Sequence, residues 1–253
     1  MPATKSPHLL IPAADISGPL FVGIDLGGTN IKAALVDDHG RMVAFHTEPT
    51  HVQNGPDDAA IRMGHSVNLL AQCAGLDRSD IAAVGLGTPG PQDLSTGLLI
   101  KPGNFPGWEN FPVRDRVAEH CGHAVTYAND ATAAAYGEFW VGSGRDDTSL
   151  ILLTLGTGVG GGIIIGDMTI EGAHSHGSEC GHIIVDSSPT ARMCPCGQPG
   201  HLEAYASATA LKAIASERIH DGSTGTLADA VNQGEPLTRS EEHTSESSHA
   251  NIS

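Results

Sequence analysis

Residues 20–40 read LFVGIDLGGTNIKAALVDDHG. Apolar residues 20–24 meet a Gly27-Gly28 turn and Ile31–Val36 run back, which is the pattern of a β-hairpin. Asp38-His39-Gly40 supply a second turn, with Met42–Thr47 as a third strand. The pattern returns about 130 residues later in SLILLTLGTGVGGGIIIGDMTI, residues 149–170, again as strand, glycine-rich turn and strand. Two such openings predict two related halves, at a period too long for a solenoid.

Glycine turns matter chemically because no side chain blocks the approach of backbone amides to phosphate oxygens. In the first turn Asp25 is placed for Mg²⁺ or its waters, and Thr29 and Asn30 can donate to phosphate; the alternative is a plain hairpin turn. In the second, Gly156, Gly158 and Gly161 spell the dinucleotide fingerprint. That motif needs a helix next, whereas Ile163–Ile165 and Met168–Ile170 predict a returning strand. A Walker A loop is excluded because the chain has no Gly-Lys pair.

Between the hairpins, Ile61, Val67, Leu70 and Cys73 lie at helical spacing within 57–74, after an acidic, proline-led start. Residues 81–87, IAAVGLG, predict a buried strand, followed by a TPGPQ loop, a helix from Phe111 to His120, and a short strand over Ala124–Ala128. That strand ends at Asn129-Asp130, where ATAAAYGEFW begins a helix at once. Asp130 is thus either a helix cap or a general base at a strand end, where α/β proteins place chemistry. The loop KPGNFPGW, residues 101–108, offers an amide and two flat rings to a sugar, or is a Pro/Gly loop with Trp108 as a local plug. Residues 203–222 predict one helix ending at Gly222.

The net charge of −16 over 253 residues argues against non-specific nucleic-acid binding, which needs Lys and Arg on phosphate. The first nineteen residues hold four prolines and no pattern, so they predict a loose leader without the apolar core of a signal peptide. No apolar run approaches a membrane span. The expected setting is cytoplasmic with reduced thiols, which favours metal binding over disulfides for the five cysteines. CPCGQPGHLE, residues 194–203, puts Cys194, Cys196 and His201 together as metal donors, a redox pair or an idle turn. The polar end, residues 239–253, resembles translated sequencing-adapter read-through and is expected to be non-native or disordered.

VGIDLGGTNIKAALVD, GLGTPGP, YANDATAAAYGE, LTLGTGVGGGIIIG, ECGHIIVD and CPCGQPGHLEAYAS, in that order, resemble the signature blocks of the ROK family of sugar kinases and related repressors. The resemblance spans about residues 20–220 and is closest to the bacterial glucokinases, through PGNFPGW. It implies a two-lobed α/β fold, actin/hexokinase-like (ribonuclease H-like), with residues 20–128 as the N-terminal lobe and 129–238 as a C-terminal lobe, truncated. ATP with Mg²⁺ would lie against Asp25, Gly27, Gly28, Thr29, Asn30, Lys32, Gly156, Thr157, Gly158, Gly160 and Gly161. Asp130 matches the catalytic base; Asn129, Asn104, Glu179, His182 and Glu203 match sugar-binding positions.

The family's metal pattern, C-x-C-G-x-x-G-C-x-E, is met by Cys194, Cys196, Gly197, Gly200 and Glu203, but His201 stands where a third cysteine is usual. With His182 as the family's histidine ligand, the set becomes His182, Cys194, Cys196 and His201, which suits a closed structural Zn²⁺ site. The expected activity is transfer of phosphoryl from ATP to the 6-hydroxyl of a hexose, glucose to glucose 6-phosphate, in a glycolytic, homodimeric enzyme. The rivals are a kinase for fructose, N-acetylglucosamine, N-acetylmannosamine or allose, and a sugar-responsive repressor; the latter needs a helix-turn-helix domain for which the leader is too short.

Overall fold

The computed structural model describes residues 5–103 and 105–220. Its main element is a six-stranded mixed sheet made of β1 (Lys5–Leu9), β2 (Leu20–Leu26), β3 (Asn30–Val36), β4 (Met42–Pro49), β5 (Ile81–Thr88) and β8 (Val125–Asn129), in the order β1-β4-β3-β2-β5-β8. The strands β1 to β4 pair antiparallel, while β2, β5 and β8 run parallel. Alternation decides the faces: Val22, Ile24 and Leu26 on β2 and Ile31, Ala33 and Leu35 on β3 are buried. The helix α1 (Pro56–Cys73) covers that face with Ala59, Ala60, Met63, Val67 and Leu70. It starts at Pro56 with Asp57 and Asp58 in the first turn, where the fixed φ and the helix dipole favour both residue types. A small ribbon of β6 (Gln92–Asp93) and β7 (Leu98–Leu99) precedes α2 (Val113–Cys121), which ends at Gly122 in the left-handed conformation.

After β8 come α3 (Asp130–Trp140) and a three-stranded sheet of β9 (Ser149–Leu155), β10 (Val159–Ile165) and β11 (Met168–Thr169), with β10 central. The strand that follows the second glycine turn is therefore real, which removes the dinucleotide reading. The short helix α4 (Glu203–Ala206) and α5 (Ala208–His220) close the described chain. Two compact units result: residues 5–153 with 161–179, and 154–160 with 180–220.

Three expectations change and one open alternative is decided. Residues 1–19 do not form a loose leader throughout, since residues 5–9 pair with β4 as an edge strand, where a proline costs no ladder bond. The chain does not divide at 128/129: α3 and residues 161–179 belong to the first unit. Gly162 shows why, because a Cβ there would lie 2.3 Å from the Ala135 Cβ, so strand and helix touch backbone to backbone. The helix expected over 203–222 is interrupted at position 207, and its expected end at Gly222 lies outside the described residues. Ser207 is extended (φ −69°, ψ 155°), and its Oγ accepts the Ala210 N–H at 3.0 Å, capping α5. Finally, Phe105 and Trp108 are plugs and not a sugar platform: each is 1% exposed, their rings are 4.9 Å apart, and Trp108 Nε1 donates to the Val52 carbonyl. The tail 239–253 and the end of the expected C-terminal lobe lie outside the described residues.

Candidate active site and metal centre

The three parallel strands end at one edge of the sheet. Asp25 on β2 is level with Gly87 on β5, and Gly87 and Thr88 are level with Ala128 and Asn129 on β8. Asp130 follows at once as the first residue of α3. The cap of α3 falls on Asn129, whose Oδ1 accepts the N–H of Ala131 at 2.9 Å and of Thr132 at 3.4 Å. That fixes the orientation of the amide and leaves its NH₂ for a ligand. Asp130, relieved of capping, keeps one local bond, from the Ala131 N–H at 2.8 Å. Burial pushes its carboxyl above the usual carboxylate range, and the charges of Asp25 and Glu179 push the same way, against the Ala131 hydrogen bond. Lys32, directly opposite Asp25 on β3, reaches its carboxylate at 3.6 Å. Asn104 lies outside the described residues.

Both glycine turns have the shape of an anion cradle. In the first, the Gly27 N–H closes on the Asn30 carbonyl at 3.0 Å, and a Cβ at Gly27 would come within 2.9 Å of that oxygen. In the second, the Gly156 N–H closes on the Gly158 carbonyl at 3.0 Å. Among the described residues, the N–H groups of Gly28, Thr157 and Gly158 meet no acceptor. Unpaired donors on exposed glycine turns are what a phosphate chain requires.

In the second unit, one donor atom each from His182, Cys194, Cys196 and His201 lie within 4.8 Å of one another. Cys196 Sγ is 3.2 Å from His201 Nδ1, and the two imidazole centroids are 5.1 Å apart. The four sequence-derived donors therefore converge, with His201 in place among them; Cys180 is not one of the group. The stretch that carries them explains why a metal fits. Over residues 180–202 only Gly181, Cys194 and Gly200 are buried, while Ile183, Ile184, Val185 and Met193 are exposed. A segment without an apolar core needs another source of cohesion, and two thiolates with two imidazoles suit tetrahedral zinc. Glu203 links this centre to the glycine turn: its Oε2 accepts the Val159 N–H at 2.9 Å, and its Oε1 is 3.7 Å from Cys194 Sγ. Gly158 lies so close that a Cβ would be 2.4 Å from that carboxylate.

Sequence reasoning missed Tyr205. Its hydroxyl donates to Asp186 Oδ2 at 2.6 Å and accepts the Arg192 N–H at 2.8 Å, joining the two limbs of the metal loop. The phenol holds the Asp186 carboxyl below its ordinary range, and the carboxylate raises the phenol in turn. Position 205, two residues after Glu203 in the same motif, was the available signal. Tyr205→Phe is expected to lower the denaturation midpoint slightly, as loss of a solvent-accessible hydrogen bond does, and to speed amide exchange in residues 186–194. An unchanged denaturation midpoint and unchanged exchange would count against this role.

A mixed sheet that gathers a glycine turn, an acid and a helix-opening carboxylate at one edge defines the actin/hexokinase-like α/β class. The ROK family pattern matches residues 21–252, and the chain belongs to the ROK family. It is 38% identical over 197 residues to a glucokinase of Thermotoga maritima, covering 78% of this chain and 60% of that protein. The ROK hexokinase of Thermus thermophilus superposes with a TM-score of 0.72 at 34% identity, covering 86% of this chain and 70% of that one. A ROK glucokinase from Streptomyces griseus, solved with glucose and AMPPNP, gives a TM-score of 0.65 at 32% identity, covering 86% and 72%. The chain spans about three fifths of the length of the curated relatives it matches. Among the described residues no helix is long and apolar enough to cross a membrane.

Proposed function

We propose that the protein transfers the γ-phosphoryl group of ATP to the 6-hydroxyl of a hexose, with glucose as the preferred acceptor. The observation that carries this reading is Asp130: a carboxylate at the carboxyl edge of the parallel strands, freed from capping by Asn129 and raised by burial. Kinship to glucokinases at 38% and 36% identity supports the choice of sugar.

In this reading Asp130 accepts the proton of the 6-hydroxyl as that oxygen forms its bond to the γ-phosphorus. The bond from the γ-phosphorus to the bridging oxygen breaks, and ADP leaves with the electron pair. The free N–H groups of Gly28, Thr157 and Gly158 offset charge on the phosphates. Asp25 would hold Mg²⁺, which when bound neutralises phosphate charge. The Asn129 NH₂, Glu179, His182 and Glu203 orient the sugar hydroxyls. Zn²⁺, held by His182, Cys194, Cys196 and His201, would be structural, since four protein ligands leave no open position. His182 would hold the metal through one ring nitrogen, which leaves its other nitrogen available to a sugar hydroxyl.

A panel of hexoses at equal concentration, with ADP formation as the readout, tests the assignment. Glucose is expected to exceed fructose, N-acetylglucosamine, N-acetylmannosamine and allose in kcat/KM by about tenfold or more, the discrimination that hydrogen bonds to sugar hydroxyls supply. A higher value for another sugar would overturn the choice of glucose, and no sugar-dependent ADP at all would overturn the kinase reading.

A further inference from the structure

The two glycine turns are fastened in the same way by two unrelated elements. At the first, Thr50 Oγ donates to the Gly27 carbonyl at 2.6 Å, and the Thr50 N–H donates to the Thr29 carbonyl at 2.8 Å. At the second, the Ala208 N–H donates to the Gly156 carbonyl at 2.9 Å, and Thr209 Oγ donates to the Thr157 carbonyl at 2.9 Å. In each case one threonine hydroxyl and one backbone N–H capture two carbonyls of a turn.

The consequence follows from the planarity of the peptide unit. In a trans peptide the C=O of one residue and the N–H of the next point in opposite directions. A carbonyl captured on one side therefore presents the following N–H on the other. Capture of Gly27, Gly156 and Thr157 carbonyls sets the N–H groups of Gly28, Thr157 and Gly158. None of these three meets an acceptor among the described residues, and neither does the Thr29 N–H beside them. Fully buried Thr50 is itself braced. Arg62 on α1 donates from Nη1 to the Pro49 carbonyl at 2.9 Å and from Nη2 to the Thr50 carbonyl. Its charge is balanced by Glu48 at 3.1 Å and Asp58 at 2.9 Å.

We propose that Thr50 and Thr209 are positioning residues, each of which aims the free N–H groups of its own turn at an anion, a phosphate of ATP. The identity of that anion rests on the kinase reading; the geometry of the pins does not. Neither threonine touches the reacting atoms, so each acts on nucleotide affinity and not on sugar affinity.

Thr50→Val and Thr209→Val remove one hydroxyl each at similar shape, and Thr50→Ser and Thr209→Ser restore it. Three readouts are needed: KM for ATP and for the sugar, calorimetric Kd for Mg-ATP, and amide exchange in residues 26–30 and 155–159. Thr50→Val is expected to speed exchange in 26–30 about fivefold to tenfold, the worth of one hydrogen bond, without moving 155–159. Thr209→Val should do the reverse. Each should raise the ATP KM and the Mg-ATP Kd by a similar factor, with the sugar KM within about twofold, and each serine variant should return to wild type. Arg62→Gln, which leaves the hydroxyls in place, should give a weaker form of the Thr50→Val pattern and serves if that variant does not fold. Wild-type exchange and wild-type Mg-ATP affinity in the valine variants would overturn the proposal, as would equal losses for ATP and sugar. If the unaltered chain turns over no sugar, the kinase reading fails, while the exchange and Kd shifts still decide on the pins.

Discussion

Asp130→Asn is expected to lower hexose-dependent ATP turnover by about 10³-fold or more while sugar affinity stays within a few-fold of wild type. The substitution keeps the size and the local bond from the Ala131 N–H but cannot accept the proton. Two accompanying signs separate this from simple misfolding. Because burial and the charges of Asp25 and Glu179 raise the carboxyl, wild-type activity should fall as pH drops through a value above the ordinary carboxylate range. The stability sign runs the other way. A carboxyl raised in the folded state favours folding when protonated, and that contribution is lost as pH rises through the folded pKa. At neutral pH the neutral amide should therefore melt no lower than the wild type, and higher if the buried charge is uncompensated. Equal turnover, or a lower melting temperature with lost sugar binding, would remove Asp130 from its role.

The second large effect concerns the metal. The purified chain is expected to carry one zinc per molecule, lost in Cys194→Ser and Cys196→Ser. Structural zinc contributes on the order of 10 kcal/mol of binding free energy in small metal-held domains, and over residues 180–202 only Gly181, Cys194 and Gly200 are buried. Chelation should thus unfold that stretch before the six-stranded sheet, and zinc should restore it. His201→Cys, which recreates the family's usual ligand, should retain zinc at least as tightly, whereas His201→Ala should release it to a chelator far faster. Zinc content at wild-type level in both serine variants would show that the four donors meet without a metal.

Much of this was legible in the sequence because it rests on short-range rules. The hairpin of β2 and β3 follows from alternation and a glycine pair. The start of α3 directly after β8 follows from Asn129-Asp130, although the sequence reading sets the capping alternative on Asp130; the structure gives the cap to Asn129. The metal donors followed from the family resemblance, and their convergence within 4.8 Å includes the atypical His201. What escaped depends on contacts far apart in the chain. Thr50 reaches Gly27 across 23 positions, and Thr209 reaches Thr157 across 52. β1 exists because β4 offers it an edge, and no periodicity in a proline-rich leader announces that. Trp108 looked equally suited to a sugar or to the core until its ring stood buried against Phe105.

The central claim is that this chain carries a carboxylate base for a hexose 6-hydroxyl. Its most direct measurement is the initial rate of ADP formation at saturating Mg-ATP, with glucose and with 6-deoxyglucose, for wild type and Asp130→Asn. The account predicts rapid ADP formation only for wild type with glucose, and a rate at background for the other three combinations. ADP formed equally with 6-deoxyglucose, or by Asp130→Asn at the wild-type rate, would contradict it.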